Sequence, residues 1–371
     1  MTYAERTAET KTRDDEGRRL VSAVETLFRH HVVLPPGVAL VLSLSVVSTY
    51  LSECFDYCTY VAISSPLKRC GKTTLAQLLS WLCCRAMLTV GISVAALFRL
   101  TETYHPTLIM DEAESLIGDH GMRSFLNAGS RKGAVVPRVI GKHIVQFPVY
   151  GPKIVCLIGE VPETIRDRSI VIEMRRAKPG ELIEELRERT VSHAAAELAG
   201  EIAGWAAAKR EDIIETYCHG EIDFLPDREA NLWAPLFAIA SVAIPERVDE
   251  LKALALRLVG EKAKHDSEIS PAIQLLSDLR AIFAADRTET VPTHRLLCEL
   301  RNLPDSPWAR LSGSELARKL RPFEIGPKQL WVDGKNLRGY VMGDFSDAFA
   351  RYLSTDACNG SEISTRQAAD K

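Results

Sequence analysis

Pro66-Leu67-Lys68-Arg69-Cys70-Gly71-Lys72-Thr73 fits the Walker A pattern GxxxxGK[ST] at every position but the first, where proline stands in place of glycine. In such loops successive backbone N–H groups curl around phosphates, the lysine reaches the terminal phosphates and the hydroxyl residue ligates magnesium. Lys72 and Thr73 take those roles, within a nucleotide-binding segment of Pro66, Leu67, Lys68, Arg69, Cys70, Gly71, Lys72, Thr73 and Thr74. The flanks agree: Tyr60 to Ser64 is a short β-prone run, and Thr73 to Cys84 reads as a helix. Such a helix points the positive end of its dipole at the bound anion. The competing reading is a chance GKT at a helix start, and the proline, with its fixed φ, weakens the match.

Leu108-Ile109-Met110-Asp111-Glu112 follows about forty residues later as an apolar strand ending in two carboxylates, the Walker B form. Asp111 would hold magnesium together with Thr73, and Glu112 would polarise the attacking water. An isolated Asp-Glu pair is most often a solvated turn; the buried strand before it and the loop upstream reverse that preference. Lys153 to Ile158 and Ser169 to Met174 are further apolar runs, giving parallel strands alternating with helices. Between the last two stands Arg166-Asp167-Arg168, where an arginine can reach a γ-phosphate and stabilise transition-state charge; Arg168 is the candidate, with pairing to local acids the alternative.

The rest of the composition narrows the classes. Lys plus Arg total 46 against 49 Asp plus Glu, a net charge of -3, which excludes coating nucleic acid by bulk positive charge. Cysteines number nine and form no CxxC pair, so buried free thiols in a reducing cytoplasm are expected rather than a metal site. The first fifteen residues resemble neither a signal nor a transit peptide. Val38 to Leu51 is apolar but falls short of the ~18 residues needed to span a bilayer, so it reads as a buried helix and no membrane association is expected.

Residues 1–55 form a helical lead-in, with Leu20, Val21, Val24, Leu27 and Phe28 at helical spacing. Residues 56–180 hold the α/β core, including a helix near Met122 to Asn127 and a β-hairpin over Ala134 to Phe147 around Gly141-Lys142. Residues 181–288 read as an all-helical second unit with breaks near Gly220 and Pro226. Residues 289–353 carry helix signals at Thr293 to Leu300 and Ser312 to Leu320, then Leu330 to Val332 and Gly339 to Met342 around Asp333-Gly334, which suggests a winged helix. Residues 354–371 read as a disordered tail.

The arrangement resembles an AAA+-type ATPase, and more closely a family of P-loop domains of phage, plasmid and integrated-element proteins, often fused behind a primase-like region. The likeness spans about Tyr50 to Leu353 and rests on Ser64 to Thr73, Pro106 to Glu112, Leu126-Asn127-Ala128-Gly129, Asp167-Arg168-Ser169-Ile170, Trp233-Ala234-Pro235-Leu236 and Gly339-Tyr340. It implies an α/β P-loop NTPase core of AAA+-like form, ATP and Mg2+ as ligands, ATPase activity, a homo-oligomer and a mobile-element setting. Two departures stand out: Gly159-Glu160 offer no clear polar sensor after the third strand, and Arg228 is a weak second sensor. No primase-like region precedes the core, so a stand-alone motor or switch is expected.

Two functions follow. One is a helicase-like or nucleic-acid-remodelling module acting on single- or double-stranded DNA; superfamily 3 helicases project a Lys-His pair from a hairpin at this position, and Lys142-His143 match it. Arg131, Lys132 and Arg138 add local positive charge that would track phosphates. The alternative is an ATP-dependent switch or defence-associated regulator acting on a protein partner, with the hairpin an ordinary solvated turn.

Overall fold

A computed structural model describes residues 3–353 apart from 115–117, 179, 182, 270, 287–288, 304–305 and 333. The tail from Ser354 and the turn residue Asp333 lie outside the described residues. By packing, the chain forms two compact units, residues 1–262 and 263–371, where composition alone divides it into five segments.

The first unit is built on a parallel sheet. Its strands, in chain order, are β1 (Tyr60–Ser65), β2 (Ala86–Val90), β3 (Thr107–Asp111), β6 (Lys153–Ile158) and β7 (Ser169–Glu173), and β4 (Val135–Ile140) with β5 (His143–Pro148) form a separate hairpin inserted before β6. The spatial order is β2-β3-β6-β1-β7, every neighbouring pair parallel. β1 and β3 are buried at every position, which is why they appear in the sequence as continuous apolar runs rather than alternating ones.

Alternation of side chains across the pleat splits the sheet into two faces. Val61, Ile63, Ile109, Ile154 and Cys156 enter one core with the N-terminal helices and the helices after residue 188. Tyr60, Ala62, Leu108, Met110, Val155 and Leu157 enter the other, with Phe98, Phe125 and Phe147. Helix Tyr3–His31 contributes Leu20, Val21, Val24 and Phe28 to the first core, and helix Val38–Tyr50 is buried along almost its whole length. No helix among the described residues is long and apolar enough to cross a membrane.

The helical layer starts later than composition suggests. The described residues from Met174 to Arg187 lie outside any helix, and the first helix is Glu188–Ala208, followed by Arg210–His219 and Asp227–Ala243. This extended stretch is held by Glu184, whose N–H donates to His30 O and whose carbonyl faces His31 Nδ1, both at 2.9 Å.

Lys153, at the start of β6, is 2% exposed, and the sequence gives no warning of it. Its ammonium donates to the carbonyls of Val149 (2.8 Å), Gly151 (3.0 Å) and Gly129 (3.3 Å), and it lies 4.9 Å from the Tyr60 ring centre and 4.8 Å from that of Phe125. Gly129 precedes the hairpin and Val149 follows it, so one side chain clasps both ends of the insertion. The approach leaves no room at Gly129, where a Cβ would sit 2.3 Å from Val149 O.

The second unit has an antiparallel sheet in the order β8-β10-β9, with β8 (Thr290–Pro292), β9 (Lys328–Val332) and β10 (Lys335–Val341). β10 begins four residues before the expected Gly339. Helices Pro271–Asp286, Thr293–Asn302 and Gly313–Leu320 close over it around Leu279, Phe283, Leu316, Tyr340 and Phe345. Ser312 caps the last of these through a reciprocal capping box with Glu315.

Burial pushes the Lys153 ammonium down to about 7, against 10.5 in an unfolded chain. Between those values the unfolded state holds the extra proton, so this group makes stability rise with pH from about 7 to about 10.5 and contributes a constant penalty below that range. Lys153→Met is expected to abolish that rise and to cost ~2 kcal/mol or more through the carbonyls left without a donor. Urea denaturation of both proteins from pH 6 to pH 10 would check it.

Candidate functional site

The loop between β1 and helix Lys72–Leu82 leaves the carboxyl edge of the parallel sheet, where open α/β sheets bind their ligands. Arg69 (φ 64°) and Gly71 (φ 81°) are left-handed with Cys70 between them, an alternation from which anion-binding nests are built. Among the described residues no main-chain N–H from Leu67 to Thr74 finds an acceptor. Pro66, Leu67, Lys68, Arg69 and Thr73 are exposed, Gly71 and Thr74 half-buried, Cys70 and Lys72 buried.

The loop is braced from within and without. Ser65 Oγ donates to Leu67 O at 2.7 Å and accepts from Lys72 Nζ, so the buried ammonium is satisfied by a strand-end hydroxyl. Cys70 Sγ donates to Leu67 O at 3.2 Å. Arg176, just past β7, donates through Nε and Nη2 to Lys68 O, both at 3.1 Å.

Asp111 ends β3 at the same edge, on the face that carries Ile109, and is 6% exposed. Its Oδ1 accepts the Glu112 N–H at 3.0 Å. Glu112 is itself exposed and left-handed (φ 53°), a backbone conformation costly for a residue with a side chain and concentrated at functional sites. The chain then lies over the end of β6: Ala113 N–H donates to Cys156 O at 3.0 Å, and Glu114 accepts from the Ile158 N–H.

Cys156 shows which of these groups converge. Its thiol is held far above the usual range, first by burial, then by the Asp111 carboxylate, with Lys72 opposing and Glu114 adding to the shift. Lys72, Asp111 and Glu114 therefore all lie within electrostatic reach of one point on β6. Glu114 and Arg176 escaped the sequence reading, and Ser65 stands there without a role; the signals available were a third acid in Asp111-Glu112-Ala113-Glu114 and a polar residue closing a buried strand.

The arginines are engaged within the chain. Arg168 donates to Asn127 O (Nε, 3.1 Å) and Thr164 O (Nη1, 2.8 Å), and buried Arg166 donates to Val161 O at 2.6 Å. Asp167 pairs with Arg228 at 2.5 Å, joining this segment to the start of helix Asp227–Ala243. The expected nucleic-acid residues do not gather into one patch. Lys142 and His143 stand exposed at the hairpin tip and Arg131 is exposed at its base, but Lys132 donates to Glu53 O at 2.7 Å, and Arg138 turns back over the Phe98 ring at 4.7 Å. Among the described residues no cluster of three or more His, Cys, Asp or Glu is arranged to hold a metal.

Comparison with known proteins adds a family. Residues 173–352 match the model described as "Protein of unknown function (DUF3631)". A Saccharopolyspora erythraea protein described as an uncharacterized 28.9 kDa protein in the xis 5′ region is 31% identical over 186 residues, 48% of this chain and 68% of that protein. The chain belongs to this family. Among solved structures, two apo A-form structures of the C-terminal region of NrS-1 are similar at 12% identity, with TM-scores of 0.46 and 0.42, each covering 88% of this chain and 75% of the other. The family match starts at the end of β7, so Lys72 and Asp111 lie upstream of it.

Gly71 is where the loop admits no side chain cheaply: φ is positive, and a Cβ would lie 3.3 Å from Val32 Cγ1 and 3.5 Å from Met174 Cε. Gly71→Ala is expected to cost ~1–2 kcal/mol of stability, the left-handed penalty for a residue with a Cβ, measured as a lowered urea midpoint with unchanged m-value.

Proposed function

We propose that this chain is an AAA+-like P-loop ATPase that binds Mg2+-ATP between the loop Pro66–Thr74 and the acids after β3. One observation carries the reading: a run of main-chain N–H groups without acceptors, at the start of a helix, beside a buried lysine and a buried aspartate that act on the same thiol. That combination suits a polyphosphate, because the N–H groups and helix dipole favour anions and Lys72 can exchange its hydroxyl partner for phosphate oxygens. Proline at the loop's first position removes no donor that the cradle needs, since the N–H groups without acceptors begin at Leu67.

The donor set also fits magnesium. Thr73 presents an exposed hydroxyl and Asp111 a carboxylate, and Mg2+ commonly takes one or two protein oxygens and completes its shell with water and phosphate. When bound, the ion would neutralise charge on the transferring phosphoryl group. Glu112, exposed at the same edge, would orient and deprotonate the attacking water. Glu114 would fix the acidic segment to β6, so that Glu112 keeps its place relative to Lys72.

In this proposal the protein acts as a cytoplasmic homo-oligomer, a helicase-like or nucleic-acid-remodelling module of a mobile genetic element, with Arg168 completing a neighbour's site. A second reading, an ATP-dependent switch or defence-associated regulator acting on a protein, is favoured by the hairpin tip. There Val139 and Ile144 are 73% and 74% exposed and flank Lys142-His143, an apolar surface better suited to a protein than to phosphates.

Lys72→Ala should abolish ATP binding, measured by calorimetry, while its melting temperature stays near that of the wild type; unchanged affinity in the folded variant would exclude the site.

Glu112→Gln should bind ATP and lose most turnover. Arg168→Ala should bind ATP and hydrolyse it ~10³-fold more slowly if the guanidinium acts on a neighbour. Mixing these two inactive proteins should then restore partial activity at mixed interfaces. Co-assembled but inactive mixtures would confine Arg168 to bracing Asn127 and Thr164 in its own chain.

A further inference from the structure

The hairpin of β9 and β10 carries a surface that the ATP-binding reading does not use. Trp331 is 76% exposed, on the outer strand of the three-stranded sheet. The cross-strand register pairs Trp331 with Asn336 and Gln329 with Arg338. Directly paired residues share a face, as do residues two apart, so Gln329, Trp331, Asn336 and Arg338 occupy one side of the ribbon, and all four are exposed.

The grouping is chemically specific. It combines a flat indole, a guanidinium and two carboxamides. The hairpin segment 328–341 holds three bases, Lys328, Lys335 and Arg338, against the single acid Asp333. Lys328 is committed to Asp344 at 2.7 Å, whereas Lys335 and Arg338 make no ion pair among the described residues. A large ring left in water on an edge strand, flanked by amides and positive charge, takes no part in the unit's own core, which β10 enters only further along, at Tyr340.

We infer that this face of the β9–β10 hairpin binds single-stranded nucleic acid, with an unpaired base stacked on Trp331, Asn336 and Gln329 reaching base edges, and Arg338 and Lys335 on the phosphates. Aromatic platforms beside positive charge hold single strands in this way, because every base offers a π-face. A duplex hides those faces inside its stack, so a rigid indole finds no equivalent burial in a groove read by hydrogen bonds. The strand is preferred over a protein partner because the ring is flanked by amides and cations rather than by further apolar side chains.

The test uses the whole 371-residue chain without nucleotide or magnesium, so failure of the ATP-binding reading leaves it untouched. Of the five tryptophans, Trp205, Trp233 and Trp308 are buried and Trp81 is half-buried, which makes Trp331 the one most open to quenching by a ligand. A single-stranded DNA of roughly 16 nucleotides, the upper site size of such grooves, is titrated and followed by tryptophan emission and by anisotropy of a labelled strand. Quenching and binding by the wild type are expected. Trp331→Ala should weaken binding about tenfold or more, while Trp331→Phe, which keeps a stacking ring, should stay within about threefold. Arg338→Ala should weaken binding and reduce the salt slope by about one ion. Both Trp331 variants should melt with the wild type, since the ring lies outside the core. Three results would each overturn the inference: wild-type affinity in a folded Trp331→Ala protein, tighter binding of the matching duplex than of the single strand, or quenching that follows protein concentration without any nucleic acid.

Discussion

The candidate site depends on main-chain N–H groups that the fold leaves without carbonyl partners. A helix start always orphans its first donors, and here the two left-handed turns at Arg69 and Gly71 extend the run back to Leu67. Buried, such groups would each cost about 1–3 kcal/mol, so the loop must face outward, and it does, with Pro66 to Arg69 exposed. The neighbouring features keep the run open. Arg176 and Cys70 bind the loop's carbonyls rather than its N–H groups, and Ser65 satisfies the Lys72 ammonium without engaging the cradle. The constraint reaches the next layer as well, because Val32 and Met174 stand where a side chain at residue 71 would have to go, which suits glycine to this turn.

The elements were legible where a local pattern fixes them. Strands buried on both faces announce themselves as short apolar runs, and the bounds expected for Lys153 to Ile158 are those found. Gly141-Lys142 marked a two-residue hairpin turn correctly, because Gly141 adopts positive φ there. The stretch from Met174 to Arg187 was less legible: its Glu and Leu residues favour helix, yet it is drawn out along the end of the N-terminal helix by the hydrogen bonds of Glu184.

Charged side chains were the least legible, because a sequence shows a charge but not its partner. Arg138 reads as a phosphate tracker, and in the fold its guanidinium covers Phe98. Lys132 reads the same way and is spent on the Glu53 carbonyl. Lys153 reads only as the first residue of a strand and proves to be one of the largest fully buried side chains. Each outcome is set by carbonyls or rings distant in sequence. Glu114 was the nearer miss, lying two residues past an acid already singled out; its role rests on an N–H of β6 that only the sheet order brings alongside.

The sheet order also bears on how the family region relates to the loop. The matched segment begins at Glu173, and residues immediately after it stand at the loop: Met174 beside the space that a side chain at Gly71 would fill, and Arg176 bonded to Lys68 O. Helix Lys72–Leu82 then buries Leu75, Leu78, Leu79 and Leu82 in the same core as Ala195, Ile202 and Trp205 of helix Glu188–Ala208. The helix that presents the orphaned N–H groups therefore rests on the sheet and on the first helix of the family segment together. Close-packed cores shift between discrete arrangements rather than deforming smoothly, so a displacement of helix Glu188–Ala208 would be felt at Lys72 through three turns of leucine. The Asp167–Arg228 pair gives the arginine segment a parallel connection to helix Asp227–Ala243. The helix that follows the loop and the arginine segment are thus each fastened to the helical layer within one compact unit, so a displacement of that layer would reach both.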